Sequence, residues 1–320
     1  MTTLAMRGVR PEDKRAERPA RRGQRGRLTL WVWLFLLPTA ILYGLYTLYP
    51  IVASYWYSLV EWNGFESEQR FVGLANYQAV FADPMFWSSF KITLIFMLLV
   101  APARVILSFL LAIVLNSPKL PLARLFRTAF FLPVVTTTAI VGVVMQFVLD
   151  PASGPLNSLL QALGHGGGIS FLGDSQTALI TASVVYVWKF FGITLVYWLA
   201  ALQTIPSELY EAARIDGAGA VQLFTQITVP LLKPFLIIIS LLTIEDSFRA
   251  FDLMQTLTGG GPYFATEVIE IYIYQRAFTA PIPQLGFASA AAVLFGLFVF
   301  VVGLIQLWGV WAARRLRAGA

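Results

Sequence analysis

The chain is 320 residues long, 58% apolar and only 12% charged, with a mean hydropathy of +0.71. Soluble domains carry about 25% charged residues, so this composition excludes a water-soluble globular protein and implies a surface made for lipid. The net charge of +6 lies in loops and tails, which excludes nucleic acid as a partner and points to membrane topology instead; with no cysteine there is no disulfide framework, thiol nucleophile or cysteine metal site.

In chain order, residues 1–28 form a basic tail with nine Lys and Arg between Arg7 and Arg27, expected to be solvated. A membrane span needs roughly 20 mostly apolar residues. Six stretches qualify, at about 30–59, 89–115, 125–149, 177–202, 233–256 and 285–311. The first is too long for a secretory signal, and no small-residue cleavage site follows it. It contains Pro38 and Pro50, which predict a kinked or tilted helix, and Trp31, Trp33, Tyr55, Trp56 and Tyr57 mark its two ends as interfacial aromatics do. The long loops 60–88 and 150–176 are punctuated by Gly, Pro and Ser, and the second holds the flexible turn His165-Gly166-Gly167-Gly168.

Lys and Arg set the orientation. The tail, the loop with Lys119, Arg124 and Arg127, the loop with Arg214 and Lys233, and the end with Arg314, Arg315 and Arg317 hold 17 of the 23. The opposite loops hold Arg70 and Arg276, with Lys91 at a boundary. Both termini are therefore expected in the cytoplasm, as an even number of spans requires.

The loop at 204–232 is polar and helix-forming. Pro206 and Ser207 sit where a helix would begin, and Glu208 and Glu211 put negative charge in its first turns, where the helix dipole favours it. Leu209, Ala212 and Ala213 share one face, kept thin by the alanines, and Gly217 permits the turn that ends the helix. A second short helix, about 220–228, is expected to return to the membrane at Pro230 and Pro234.

Four stretches together carry a family resemblance. Glu211-Ala212-Ala213-Arg214-Ile215-Asp216-Gly217, with Ile227-Thr228-Val229-Pro230 after it, resembles the EAA loop of ABC-importer permeases (E-A-A-x3-G-x9-I-x-L-P), with Val229 in place of Leu. Phe71-Val72-Gly73-Leu74-Ala75-Asn76-Tyr77, Phe126-Arg127-Thr128-Ala129-Phe130-Phe131-Leu132-Pro133 and Leu257-Thr258-Gly259-Gly260-Gly261-Pro262 are similar to stretches of the carbohydrate-uptake type. The resemblance covers nearly all of the chain after the tail. It implies an all-α integral membrane protein of six transmembrane helices in the type I ABC-importer permease fold, with residues 29–320 as the permease domain, in a bacterial inner membrane. Within that type the chain resembles the first of two paired permeases.

The resemblance further implies a division of labour. A second homologous permease, two ATP-binding cassette subunits and an extracellular solute-binding protein would be the partners, within membrane lipid. Glu211, Ala212, Ala213, Arg214, Asp216 and Gly217 would dock on the ATPase. ATP and Mg would be held there and not in this chain, which would be no enzyme. The cargo implied is a sugar, oligosaccharide or polyol; the alternatives are glycerol-3-phosphate or a glycerophosphodiester on the same fold and, more distantly, a stand-alone channel or a polytopic membrane enzyme.

The residues themselves agree with a chain that carries no chemistry. Thr258-Gly259-Gly260-Gly261-Pro262 lacks the Lys-Ser/Thr that a phosphate-cradling loop needs. A single histidine, His165, builds neither a metal cluster nor a Ser-His-Asp set. Charges inside spans are costly, and Arg104, Lys189, Glu245, Asp246 and Arg249 stand out. Glu245 and Asp246 lie four and three residues before Arg249, so either could pair with it on one helix; the group reads as a structural ion pair or as a polar wall of a solute path. Sugar hydroxyls need donors, acceptors and aromatic faces. Lys189, Thr243, Asp246 and Ser247 are candidates for the first two, Tyr186 and Trp188 for the last.

Overall fold

The computed structural model describes residues 22–117, 120–164 and 167–318, with side chains from Val32 to Val310 within those ranges. Tail residues up to Arg21, Lys119 and His165-Gly166 lie outside the described residues, as do the side chains of Trp31, Arg22, Arg25, Arg27, Arg314, Arg315 and Arg317. By its contacts the chain divides into two units, residues 1–53 and 54–320.

In the first unit, helix α1 (Arg22–Tyr43) runs through Pro38. A π-helical turn, Gly44–Leu48, then leads into α2 (Tyr49–Tyr57), which crosses the unit boundary. Pro50 has no N–H for the Tyr46 carbonyl, and the widened turn just before it is how the helix absorbs the loss. Where a kinked or tilted helix was expected, the structure places a π turn. Residues Val32–Tyr57 are long and apolar enough to cross a membrane.

The second unit opens with a short antiparallel hairpin, β1 (Val60–Glu61) against β2 (Arg70–Phe71). The motif that follows fastens it. Asn76 donates to the Ser58 and Val60 carbonyls at 3.0 and 2.9 Å, and the Tyr77 and Ser58 hydroxyls meet at 2.7 Å. Asn76 and Tyr77 lie on α3 (Ala75–Ala82). Asp83 then caps α4 (Pro84–Leu115), accepting from the Met85 amide at 2.8 Å with proline at the first helical position. That cap starts the span five residues before its apolar run suggests.

The predicted third span is two helices, α5 (Ala123–Val135) and α6 (Thr138–Val148), bent by 101°. Pro133 removes a helical hydrogen bond, and Thr136 and Thr137 are extended. After α7 (Pro155–Ala162) comes α8 (Ala178–Leu202), at the predicted bounds. Helix α9 (Ser207–Ile215) is followed by α10 (Ala220–Gln222), a π-helical stretch Leu223–Thr228 and α11 (Val229–Ser247). The expected second short helix is thus the first part of one run, Ala220–Ser247, with Pro230 and Pro234 inside it. That run ends earlier than predicted, at Ser247, with the Thr243 and Ser247 hydroxyls bonded to the carbonyls four residues before them. The Phe248 and Arg249 amides bond only three residues back, and α12 (Phe251–Leu257) restarts under a cap, the Glu270 carboxylate accepting from the Phe251 amide at 2.7 Å. Helices α13 (Ile269–Tyr274) and α14 (Leu285–Ala318) complete the unit. Among the described residues, five helices are long and apolar enough to span, and six spans result if α5 and α6 count as one.

The core is built around α4 and α8. The Trp198 indole donates to the Val105 carbonyl at 3.1 Å, with the Phe109 ring tilted against it at 4.6 Å between centroids. A Cβ at Gly192 would lie 2.3 Å from the Phe130 carbonyl oxygen, so glycine is what lets α5 lie against α8. One buried cluster, including Trp198, Leu202, Ile205 and Leu232, sits beside the 204–232 loop. A second joins Phe96, Tyr186, Leu253 and Ile271.

Candidate coupling loop and translocation cavity

Helix α9 closes as its sequence suggests. Gly217 adopts φ +83°. The Gly217 amide donates to Arg214 and the Ala218 amide to Ala213, at 3.1 and 2.9 Å, the pattern of a glycine-terminated helix. Glu211, Ala212, Arg214, Asp216 and Gly217 are exposed, and Ala213 is half-buried. Leu209, Ile215 and Val221 are exposed too, Ile215 by 87%, so the loop shows apolar and charged groups together. It is fastened below: the Tyr210 and Thr228 hydroxyls meet at 2.9 Å, and both side chains pack away from the surface. That bond ties α9 to the run that continues as α11.

At the far end of α11 lies a cavity of about 260 Å³ between α4, α8 and α11. Arg104 of α4, buried to 2% exposure, is its base. Its guanidinium forms an ion pair with Asp246, donates to the Thr194 hydroxyl at 3.2 Å and the Phe190 carbonyl at 3.4 Å, and lies over the rings of Tyr186 and Phe190. Its Nε is buried without an acceptor. At the rim, Arg249 pairs with Glu245 one turn before it, at 2.6 Å. Of the two partners open to Arg249 in the sequence, Glu245 takes it, while Asp246 reaches across to α4.

The six residues considered for a solute path separate in space. Thr243 and Asp246 line the cavity. Tyr186 lies behind it, its hydroxyl donating to the Asp246 carbonyl at 2.7 Å. Ser247 is buried and bonded to the Thr243 carbonyl. Lys189 is buried, and its ammonium donates to the carbonyls of Pro133, Val134 and Thr136 at 2.8, 3.0 and 2.6 Å. It thereby caps the end of α5 where the span bends. Trp188 points the other way, into an apolar pocket with Leu99, Phe130 and Val184. The cavity instead gathers Phe190, Tyr197, Glu245 and Arg249. Arg104, Glu245 and Arg249, which the sequence marked as ionisable groups inside spans and read as a structural ion pair or a polar wall, lie in ion pairs along this lining.

Away from the cavity, Arg276 and the Tyr272 hydroxyl both bond the Asp83 carboxylate at 2.8 Å, tying α4 to α13. Thr258 and Thr266 close the glycine-rich turn between α12 and α13 through their hydroxyls at 2.6 Å.

Comparison with known proteins accords with this architecture. The family model described as the binding-protein-dependent transport system inner membrane component matches residues 77–309. A probable ABC transporter permease of Bacillus subtilis, YurN, is 35% identical over 86% of this chain and 94% of its own length. The lactose transport system permease LacF of Rhizobium radiobacter is 32% identical over 86% and 92%. The sn-glycerol-3-phosphate transport system permease UgpA of Yersinia pestis is 33% identical over 89% and 95%. Among solved structures, a chain of a bacterial ABC transporter involved in import of the acidic polysaccharide alginate superposes with a TM-score of 0.79 at 22% identity, over 92% of this chain and 99% of that one. A chain of the alginate transporter in complex with its pentasaccharide-bound periplasmic protein gives 0.76 at 22% identity, over 90% and 96%.

Proposed function

We propose, because this chain belongs to the binding-protein-dependent transport system inner membrane components, that it is one of two permeases of an ATP-driven importer of a sugar, oligosaccharide or polyol. The observation that carries the reading is the exposed α9 loop, closed at Gly217 and fastened by Tyr210 to the helical run that ends at the cavity. An element so built moves as a lever and not as a slack connection. Two ATP-binding subunits, holding ATP and Mg, press on Glu211, Ala212, Ala213, Arg214, Asp216 and Gly217 from the cytoplasm. A solute-binding protein delivers cargo on the other side, with both termini of this chain cytoplasmic. The importer alternates between two states, biased by ATP at one end and loaded binding protein at the other. Named relatives that carry lactose and sn-glycerol-3-phosphate support a small hydroxylated cargo.

The test is mass spectrometry of what purifies with the chain from its native membrane in mild detergent. A second permease and an ATP-binding subunit are the expected companions. Recovery of the chain alone, under conditions that keep other ABC assemblies whole, would overturn the reading.

A further inference from the structure

We propose that the apolar groove between α4, α5 and α8 binds one anionic phospholipid, with an acyl chain in the groove and the phosphate at Arg124 and Arg127. The site is separate from the charged cavity and independent of what the protein carries. The groove encloses about 440 Å³ and is framed by Leu99, Ala103 and Leu107 of α4, Phe130 of α5, and Val184 and Trp188 of α8. Among the described residues its lining holds one hydroxyl, that of Ser183, which donates to the Leu179 carbonyl at 2.7 Å. A sugar would find nothing there to pair with its own hydroxyls, and burying them unpaired is costly. Hydrocarbon meets no such cost.

Helix α4 carries the apolar track out of the groove. Leu110 and Val114 lie three and seven residues after Leu107, on the same face. Leu99, Leu107, Leu110 and Val114 are 40% to 55% exposed. The track ends at a cation. Arg127 donates through Nη2 to the carbonyl of Leu115, the last residue of α4. Its Nε is buried without an acceptor, and Arg124 stands exposed one turn before it. Among the described residues neither guanidinium is paired with a carboxylate, and the sequence holds no acidic residue between Asp83 and Asp150. Unpaired basic side chains at the end of a span hold anionic headgroups, and a guanidinium matches the oxygens of a phosphate. A zwitterionic headgroup brings its own cation to compete for that phosphate; an anionic one does not. The spacing agrees. Leu115 is eight residues beyond Leu107, about 12 Å along the helix, and the hydrocarbon of one leaflet is about 15 Å thick. A lipid whose phosphate sits at Arg127 therefore carries its chain into the groove. A span of another protein would fill the apolar part but would leave the arginines unanswered.

The test uses the protein purified whole from its membrane, subunits included, in phosphatidylcholine bilayers with phosphatidylglycerol as the minor lipid. Bromine is placed on the acyl chains of one lipid or the other at the same mole fraction. It quenches tryptophan at contact, and the share due to Trp188 is the difference between wild type and Trp188→Phe. Phosphatidylglycerol is expected to reach Trp188 with a preference of about tenfold or more over phosphatidylcholine, roughly fivefold for each arginine. Arg124→Gln, at an exposed position, should lower that preference about fivefold while lipid still quenches Trp188. Equal quenching by the two lipids, or a preference unchanged in Arg124→Gln, would overturn the headgroup site. Absence of Trp188 quenching by either lipid would mean that protein fills the groove, and would overturn the proposal as a whole.

Discussion

Two single residues carry consequences that reach beyond their neighbours. Lys189 has three donors and three backbone carbonyls at the end of α5 accept from them. Lys189→Met would take those donors from the Val134 and Thr136 carbonyls, while the Pro133 carbonyl keeps the Thr136 amide, and we expect a loss of about 1–3 kcal/mol, read as a lowered thermal midpoint of the protein in detergent. Unchanged stability would mean that the bend is held elsewhere. Glu270, on the short helix α13 outside the spans, is pushed up to about 7 by burial, against the pull of the Phe251 and Ala250 amides. Asp252 raises it further and Arg249 lowers it. A raised carboxyl favours the protonated fold, so stability is greatest below the ordinary carboxylate value and falls as pH rises towards 7. The loss is on the order of 3 kcal/mol when complete. Thermal midpoints measured between pH 5 and 7 should fall for wild type and flatten for Glu270→Gln; equal slopes would remove Glu270 as the cause. Burial raises Glu267 as well, so part of the slope should survive in the variant. The sequence marked Lys189 as costly in lipid but not what relieved the cost, because its partners are backbone carbonyls 53 to 56 residues away.

At the scale of elements, hydropathy located the spans and left their shapes open. The bounds of α8 were legible because its apolar run ends where its helix ends. The third span was read as one rod because α5 and α6 are both apolar, and a bend held by Pro133, two extended threonines and a lysine from another helix leaves no mark on hydropathy. The early end of α11, where the Phe248 and Arg249 amides bond three residues back, likewise leaves no mark on a composition window. Helix α9 was legible nearly residue by residue, since a glycine with positive φ and the acidic first turn act locally. The close approach of α5 to α8 makes its own prediction. Gly192→Ala places a methyl group against the Phe130 backbone, where no side chain can yield, and should cost about 1–3 kcal/mol. A lowered yield of folded protein and a lowered thermal midpoint are expected; a midpoint equal to wild type would show that α5 moves freely.

In the whole molecule, two regions that stand apart in the sequence, an exposed loop and a set of intramembrane charges, are joined. The connecting element is the run Ala220–Ser247, fastened to α9 at one end and carrying Thr243, Glu245 and Asp246 at the other. Pairing across helices, Arg104 with Asp246 and Tyr186 with the Asp246 carbonyl, was not legible, since it depends on how α4, α8 and α11 meet. The most direct test of this lever is Gly217→Pro in the complete assembly reconstituted in proteoliposomes, with uptake and cargo-stimulated ATP hydrolysis measured together. Proline cannot adopt φ +83° and lacks the amide that donates to Arg214. The account predicts a variant that inserts and assembles but neither imports cargo nor raises ATP hydrolysis in response to it. Uptake at the wild-type rate would contradict the lever.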